Sequence, residues 1–110
     1  METNLTPLEE IIHAELSALK ALCQGSLRGP AFTQVRASLA DYPWREPIHQ
    51  ALFRALLSIP FSDPKIIRDL LPARLTLLGF PDVKYEELFV PVSISPEIVK
   101  HLVEWLRQNS

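Results

Sequence analysis

The chain has 110 residues, 47% of them hydrophobic, with 11 basic against 13 acidic side chains and a formal net charge of −2. That is one domain's worth of protein with a modest core, and its balance excludes the strongly basic make-up of a general nucleic-acid binder. Charge is also even along the chain, with 5 basic and 6 acidic residues up to position 55 and 6 and 7 beyond it, so neither half is a charged tail. No apolar run approaches the roughly 18 to 20 residues that span a bilayer. The chain opens Met1, Glu2, with an acid where a signal peptide carries positive charge. One cysteine, Cys23, cannot form an internal disulfide. A single cytosolic domain over 1–110, making no membrane contact, is the expectation.

Proline is the punctuation. There are ten, spread along the chain, and several follow a capping residue. Thr6, Pro7 and Glu9 form a capping box with proline at the first helical position. Asp63–Pro64 and Ser95–Pro96 repeat the cap-then-proline logic, and Gly29–Pro30 and Glu46–Pro47 are weaker versions of it. Eighteen leucines and nine alanines against six valines favour helix over sheet.

The first predicted helix covers 7–24, where Leu8, Ile11, Ile12, Leu16, Leu19, Leu22 and Cys23 recur at three- and four-residue steps and Gly25 supplies a stop. The second covers 30–40, with Phe32, Val35 and Leu39 inward, and stops ahead of Pro43. The third covers 47–59. Ile48, Leu52, Ala55, Leu56 and Ile59 share a face that Phe53 and Leu57 widen, so it is expected at the centre of the core with contacts on two sides. The fourth covers 64–71, with Ile67, Leu70 and Leu71 inward, and a further turn or two over 72–78 follows Pro72 and ends at Gly79. A short helix is placed at 82–89, an extended stretch or a packed arm at 90–94, and a last helix at 96–108 with Ile98, Leu102, Trp105 and Leu106 on one face and Val99 and Val103 beside it. The fold class is all-α, a compact bundle of five or six short helices.

Little in this pattern points to catalysis. His13, His49 and His101 have no i, i+4 partner and no Cys or Asp cluster, so they read as surface or half-buried side chains rather than metal ligands. Cys23 falls on the stripe of the first helix and reads as a small buried apolar residue. Glu9–Glu10 and Glu86–Glu87 point about 100 degrees apart on a helix and do not converge on one atom. No catalytic, cofactor-binding or metal-ligating residue is assigned, and a non-enzymatic protein is expected. Arg28, Arg36, Arg45 and Arg54, with Tyr42 and Trp44 among them, form a loose basic series that offers a nucleic-acid alternative. Asp41 and Glu46 lie within that series and the chain is acidic overall, which disfavours it. Residues 63–71 and 73–78 read as a helix-turn-helix make a second, thin argument for it, but the second helix there is apolar and lacks base-reading side chains. The aromatic candidates for partner contact are Trp44, Phe80 and Trp105, with Arg45 and Arg54 beside them.

One stretch carries a family resemblance. Trp44 is followed five positions on by His49, then by Leu52, Phe53, Ala55 and Leu56; Val35, Leu39 and Tyr42 precede it, and the helix opening at Asp63 follows. Over roughly residues 16–80 this resembles the N-terminal helical domain of bacterial replicative DNA helicases of the DnaB type, and the similar helicase-binding domain at the primase C-terminus. The resemblance implies a helical interaction lobe without the motor, presenting an apolar helix face to a helicase, a primase, another protein or itself.

Overall fold

The computed structural model describes residues 7–60 and 62–110. Each of its α-helices begins on a proline, whose missing N–H is one that no helix of this kind can satisfy internally. They are α1 (Pro7–Cys23), α2 (Pro30–Leu39), α3 (Pro47–Leu57), α4 (Pro64–Leu77) and α5 (Pro96–Gln108), with a 3-10 turn at Glu86–Phe89. In α3, α4 and α5 one first-turn amide finds a side-chain cap, whereas α2, which follows Gly29, has none. Glu46 accepts from the Ile48 amide at 3.3 Å, Asp63 from Lys65 at 2.8 Å and Ser95 from Ile98 at 3.3 Å. The capping box expected from Thr6 lies outside the described residues.

The all-α bundle is borne out, with no strand among the described residues. Helix α1 is the hub and packs on α3, α4, α5 and the 3-10 turn, while α2 packs on α5 and α3 on α4. The core runs through all of them: Ala18, Leu19, Leu22 and Cys23 from α1, Leu39 from α2, Leu52 and Ala55 from α3, Ile67, Leu71 and Leu75 from α4, Leu88 from the turn, and Val99 and Leu106 from α5. The radius of gyration, 13.5 Å, is near the ~13 Å of a folded chain this long.

Several expectations need correction. Pro72 does not divide the fourth helix, which runs unbroken through it to Leu77. Ile67, Leu71 and Leu75 are all buried at four-residue spacing, so a continuous apolar line outweighs one missing hydrogen bond. The helix expected at 82–89 shrinks to the turn at 86–89. On α5 the buried line is Val99, Val103 and Leu106, and Ile98, a hundred degrees off it, is 56% exposed.

The arm after the turn is held by one side chain. Gln24, just past the end of α1, donates through Nε2 to the carbonyls of Leu88 at 2.8 Å and Val90 at 2.7 Å, and its Oε1 accepts from the Val92 amide at 3.0 Å. A single amide thus serves the arm as a neighbouring strand would. Gly25 turns the chain away with φ of +76°, and a Cβ there would lie 3.1 Å from Pro64 Cγ, so a side chain would strain the backbone and crowd the proline.

Candidate functional site

The polar centre of the molecule is Glu15, which sits on α1 between Ile11 and Leu19 and is fully buried. Four donors converge on it. Oε2 accepts from the Tyr42 hydroxyl at 2.7 Å and the Arg45 amide at 2.8 Å; Oε1 accepts from the Glu46 amide at 3.3 Å and lies 3.0 Å from His49 Nδ1. An ionised carboxylate only accepts, so His49 carries its proton on Nδ1. Burial pushes the Glu15 carboxyl up, but the bonds from His49, the Arg45 amide, Tyr42 and the Glu46 amide together outweigh it and hold it below the ordinary value. Burial, followed by the bond to Glu15 and its charge, pushes the Tyr42 phenol up, so it stays protonated and donating.

The arrangement is a fastener rather than a reaction centre. It fixes the 42–46 connection and the first turn of α3 against α1. Sequence reasoning missed Glu15 and expected His49 on the surface or half-buried, whereas it is buried. The available signal was a carboxylate four residues after Ile11 and four before Leu19, at a core position of an otherwise apolar stripe.

Fastening α3 in this way leaves Ile48, next to His49, pointing outward at 50% exposure, although it was expected in the core. Ile48 forms one wall of a groove of about 520 Å³ whose other lining comes from the chain after α4: Gly79, Phe80, Pro81, Asp82, Val83 and Lys84. Phe80 and Val83 are half-buried and pack on the core from beneath. Leu77, on the last turn of α4, is 80% exposed.

The other candidate contact residues are dispersed. Trp44 packs edge-on to Tyr42 at 5.1 Å and tilted on Phe53 at 5.0 Å, as an outer layer of the core. Trp105 is half-buried on α5. Arg45 is exposed and donates from Nη2 to the Asn109 carbonyl at 3.2 Å, tying the end of α5 to the 42–46 connection. Arg54 is exposed on the outer face of α3. Arg36 is occupied at the far end of α3, giving Nη2 to Leu57 O at 2.8 Å and Nη1 to Ile59 O at 3.1 Å while lying over the Phe32 ring. Eleven residues of helix, about 16 Å, therefore separate the ends that Arg45 and Arg36 serve, while Arg28 sits beside Asp63 and Lys65.

Cys23 is fully buried, and burial pushes its thiol up to about 12, far from a nucleophile's range. Among the described residues no cluster of His, Cys, Asp and Glu is arranged to hold a metal ion, and no helix is long and apolar enough to cross a membrane. No family model, curated protein or solved structure matches this chain.

Proposed function

We propose that this chain is a small, non-enzymatic protein–protein interaction domain, at work in the cytosol, that offers the groove at the head of α3 to a protein partner or to itself. The observation that carries the reading is the exposure of Ile48 beside the half-buried Phe80 and Val83 in one groove. An apolar centre rimmed by charge, here Asp82 and Lys84, is the usual anatomy of a contact surface. The resemblance to the helicase N-terminal lobe suggests which partners to try first, a replicative helicase or a primase. Trp44, His49 and Phe53, which carry that resemblance, are used for packing, so they support a shared scheme of folding, and partner choice is assigned to the groove. The dispersed arginines lend nothing to the nucleic-acid alternative.

The test is affinity capture from native lysate at moderate salt, run in parallel with wild type and Ile48→Asp and followed by direct titration of purified helicase and primase. Wild type should retain a protein that the variant binds at least about tenfold more weakly, with the helical circular dichroism of the two proteins the same. Equal capture by both would remove the groove from the reading. Capture without helicase or primase would remove the replication partners.

A further inference from the structure

We propose a second docking surface, at the start of α4, whose occupant is a short acidic segment of a protein partner, with its carboxylates on Arg28, Lys65 and Arg68 and one apolar side chain between them. This surface shares no lining residue with the groove at the head of α3. Two cavities adjoin there. The larger, about 560 Å³, is lined by Arg28, Asp63, Pro64 and Lys65, and the smaller, about 210 Å³, by Pro64, Lys65, Arg68 and Phe89. Pro64 and Lys65 belong to both, so the two form one trough. The cations are placed by their neighbours. Pro64 Cγ and Arg28 Nη2 would lie 3.1 Å and 4.0 Å from a Cβ on Gly25, so the proline ring and the guanidinium approach one spot that glycine keeps open. The Arg68 guanidinium lies over the Phe89 ring, 5.5 Å from its centroid, which holds its flat face and leaves its N–H edges for an acceptor. Lys65 is common to both cavities. All three are exposed, and among the described residues none of their side chains forms an ion pair or a hydrogen bond.

The chemistry of the occupant follows from this arrangement. Asp63 is the one acid lining either cavity among the described residues, and it caps α4 by accepting from the Lys65 amide at 2.8 Å. Three cations against one acid make a basic spot on a chain whose net charge is −2. Pro64 has no N–H and the Lys65 amide is taken, so the side chains rather than the helix terminus supply the attraction. Asp63 repels a continuous phosphate backbone, whose charges are too closely spaced to avoid it. A peptide can set its carboxylates on either side of Asp63 and pair each guanidinium through two parallel hydrogen bonds. Pro64 and Phe89 give the smaller cavity apolar walls for the side chain between those carboxylates.

The test is fluorescence anisotropy of labelled short peptides, each with acidic residues on both sides of one leucine or phenylalanine, titrated with the full chain, with circular dichroism as the control for folding. Wild type should bind with a dissociation constant of roughly 10–300 µM, weakening at least about threefold between about 50 and 300 mM salt. Arg28→Gln, Lys65→Gln and Arg68→Gln should each weaken binding about two- to fivefold. Asp63→Asn keeps the cap, because its side-chain oxygen still accepts from the Lys65 amide, and removes the repelling charge, so it should tighten binding about twofold. Lys100→Gln, outside both cavities, and Ile48→Asp should bind as wild type does. Loss of binding by Ile48→Asp with Lys65→Gln unaffected would move the peptide to the groove at the head of α3 and overturn the proposal. So would a titration that shows no binding by about 1 mM, equal binding of peptides whose carboxylates are replaced by amides, or tighter binding of a thymidine oligonucleotide.

Discussion

Glu15 is a charge at a core position, tolerable because each of its oxygens meets two donors. That completeness makes it sensitive to replacement. Glu15→Gln keeps the shape but turns an NH2 group toward groups that themselves donate, and should cost about 2–4 kcal/mol in chemical denaturation. The pH dependence follows from the direction of its shift. The folded carboxyl is held below its unfolded value, so its contribution is complete above the ordinary glutamate range and is lost as pH falls through the lower, folded value. Wild type should lose midpoint temperature on acidification through that window, and Glu15→Gln should lose less there. Equal slopes would show that Glu15 is not the titrating group. Ile48 follows from the same residue-scale logic: His49 takes the inward place to reach Glu15, and its neighbour is turned out toward the groove. The apolar stripe was readable in the sequence, but the exchange of an isoleucine for a histidine in the interior depends on a carboxylate 34 positions away, which periodicity does not encode.

At the scale of elements, the helix starts were legible because proline and its caps act locally. Boundaries from 7, 30, 47, 64 and 96 match the structure. Pro72 misled because the local rule lost to a tertiary one, the buried line of Ile67, Leu71 and Leu75. The helix still lacks one hydrogen bond there, so Pro72→Ala should stabilise the protein by about 1–3 kcal/mol, read as a raised midpoint in denaturant; an unchanged or lowered midpoint would mean that the ring's own packing contributes as much. The arm was legible as a stretch outside the helices but its anchor was not, since Gln24 has no periodic or motif signature and acts on residues 64 to 68 positions away. Gln24→Ala removes all three bonds and should release amide protection at Val92 while costing about 1–3 kcal/mol. The nearby Lys20–Glu87 pair at 3.3 Å is largely open to solvent on the Glu87 side, and its removal should change stability by less than about 1 kcal/mol.

On the scale of the whole molecule, the placement of α1 decides how the bundle comes apart. It touches α3, α4, α5 and the 3-10 turn, so no other pair of helices retains a full core without it. The two tryptophans report on different parts of this arrangement, Trp44 against Phe53 of α3 and Trp105 on α5. If the core is one cooperative unit, the fluorescence of Trp105 in a Trp44→Phe variant, that of Trp44 in a Trp105→Phe variant, and helical circular dichroism should share one denaturation midpoint. Leu19→Ala, at a fully buried position of α1, should then shift all three signals together, by about 3–5 kcal/mol. An α5 that docked as a separate unit would behave differently. Trp105 would respond at lower denaturant than Trp44, and Val99→Ala would move the Trp105 signal alone. The connections at the end of α5 argue against that outcome. Arg45 binds the Asn109 carbonyl, and Arg107 binds Asp41 at 2.8 Å and the Ser38 carbonyl, so the last helix is tied to the same 38–46 stretch that Glu15 fastens to α1. Loosening α5 therefore pulls on the polar centre, and the first turn of α3, with Ile48 and its groove, is held only as firmly as the bundle as a whole.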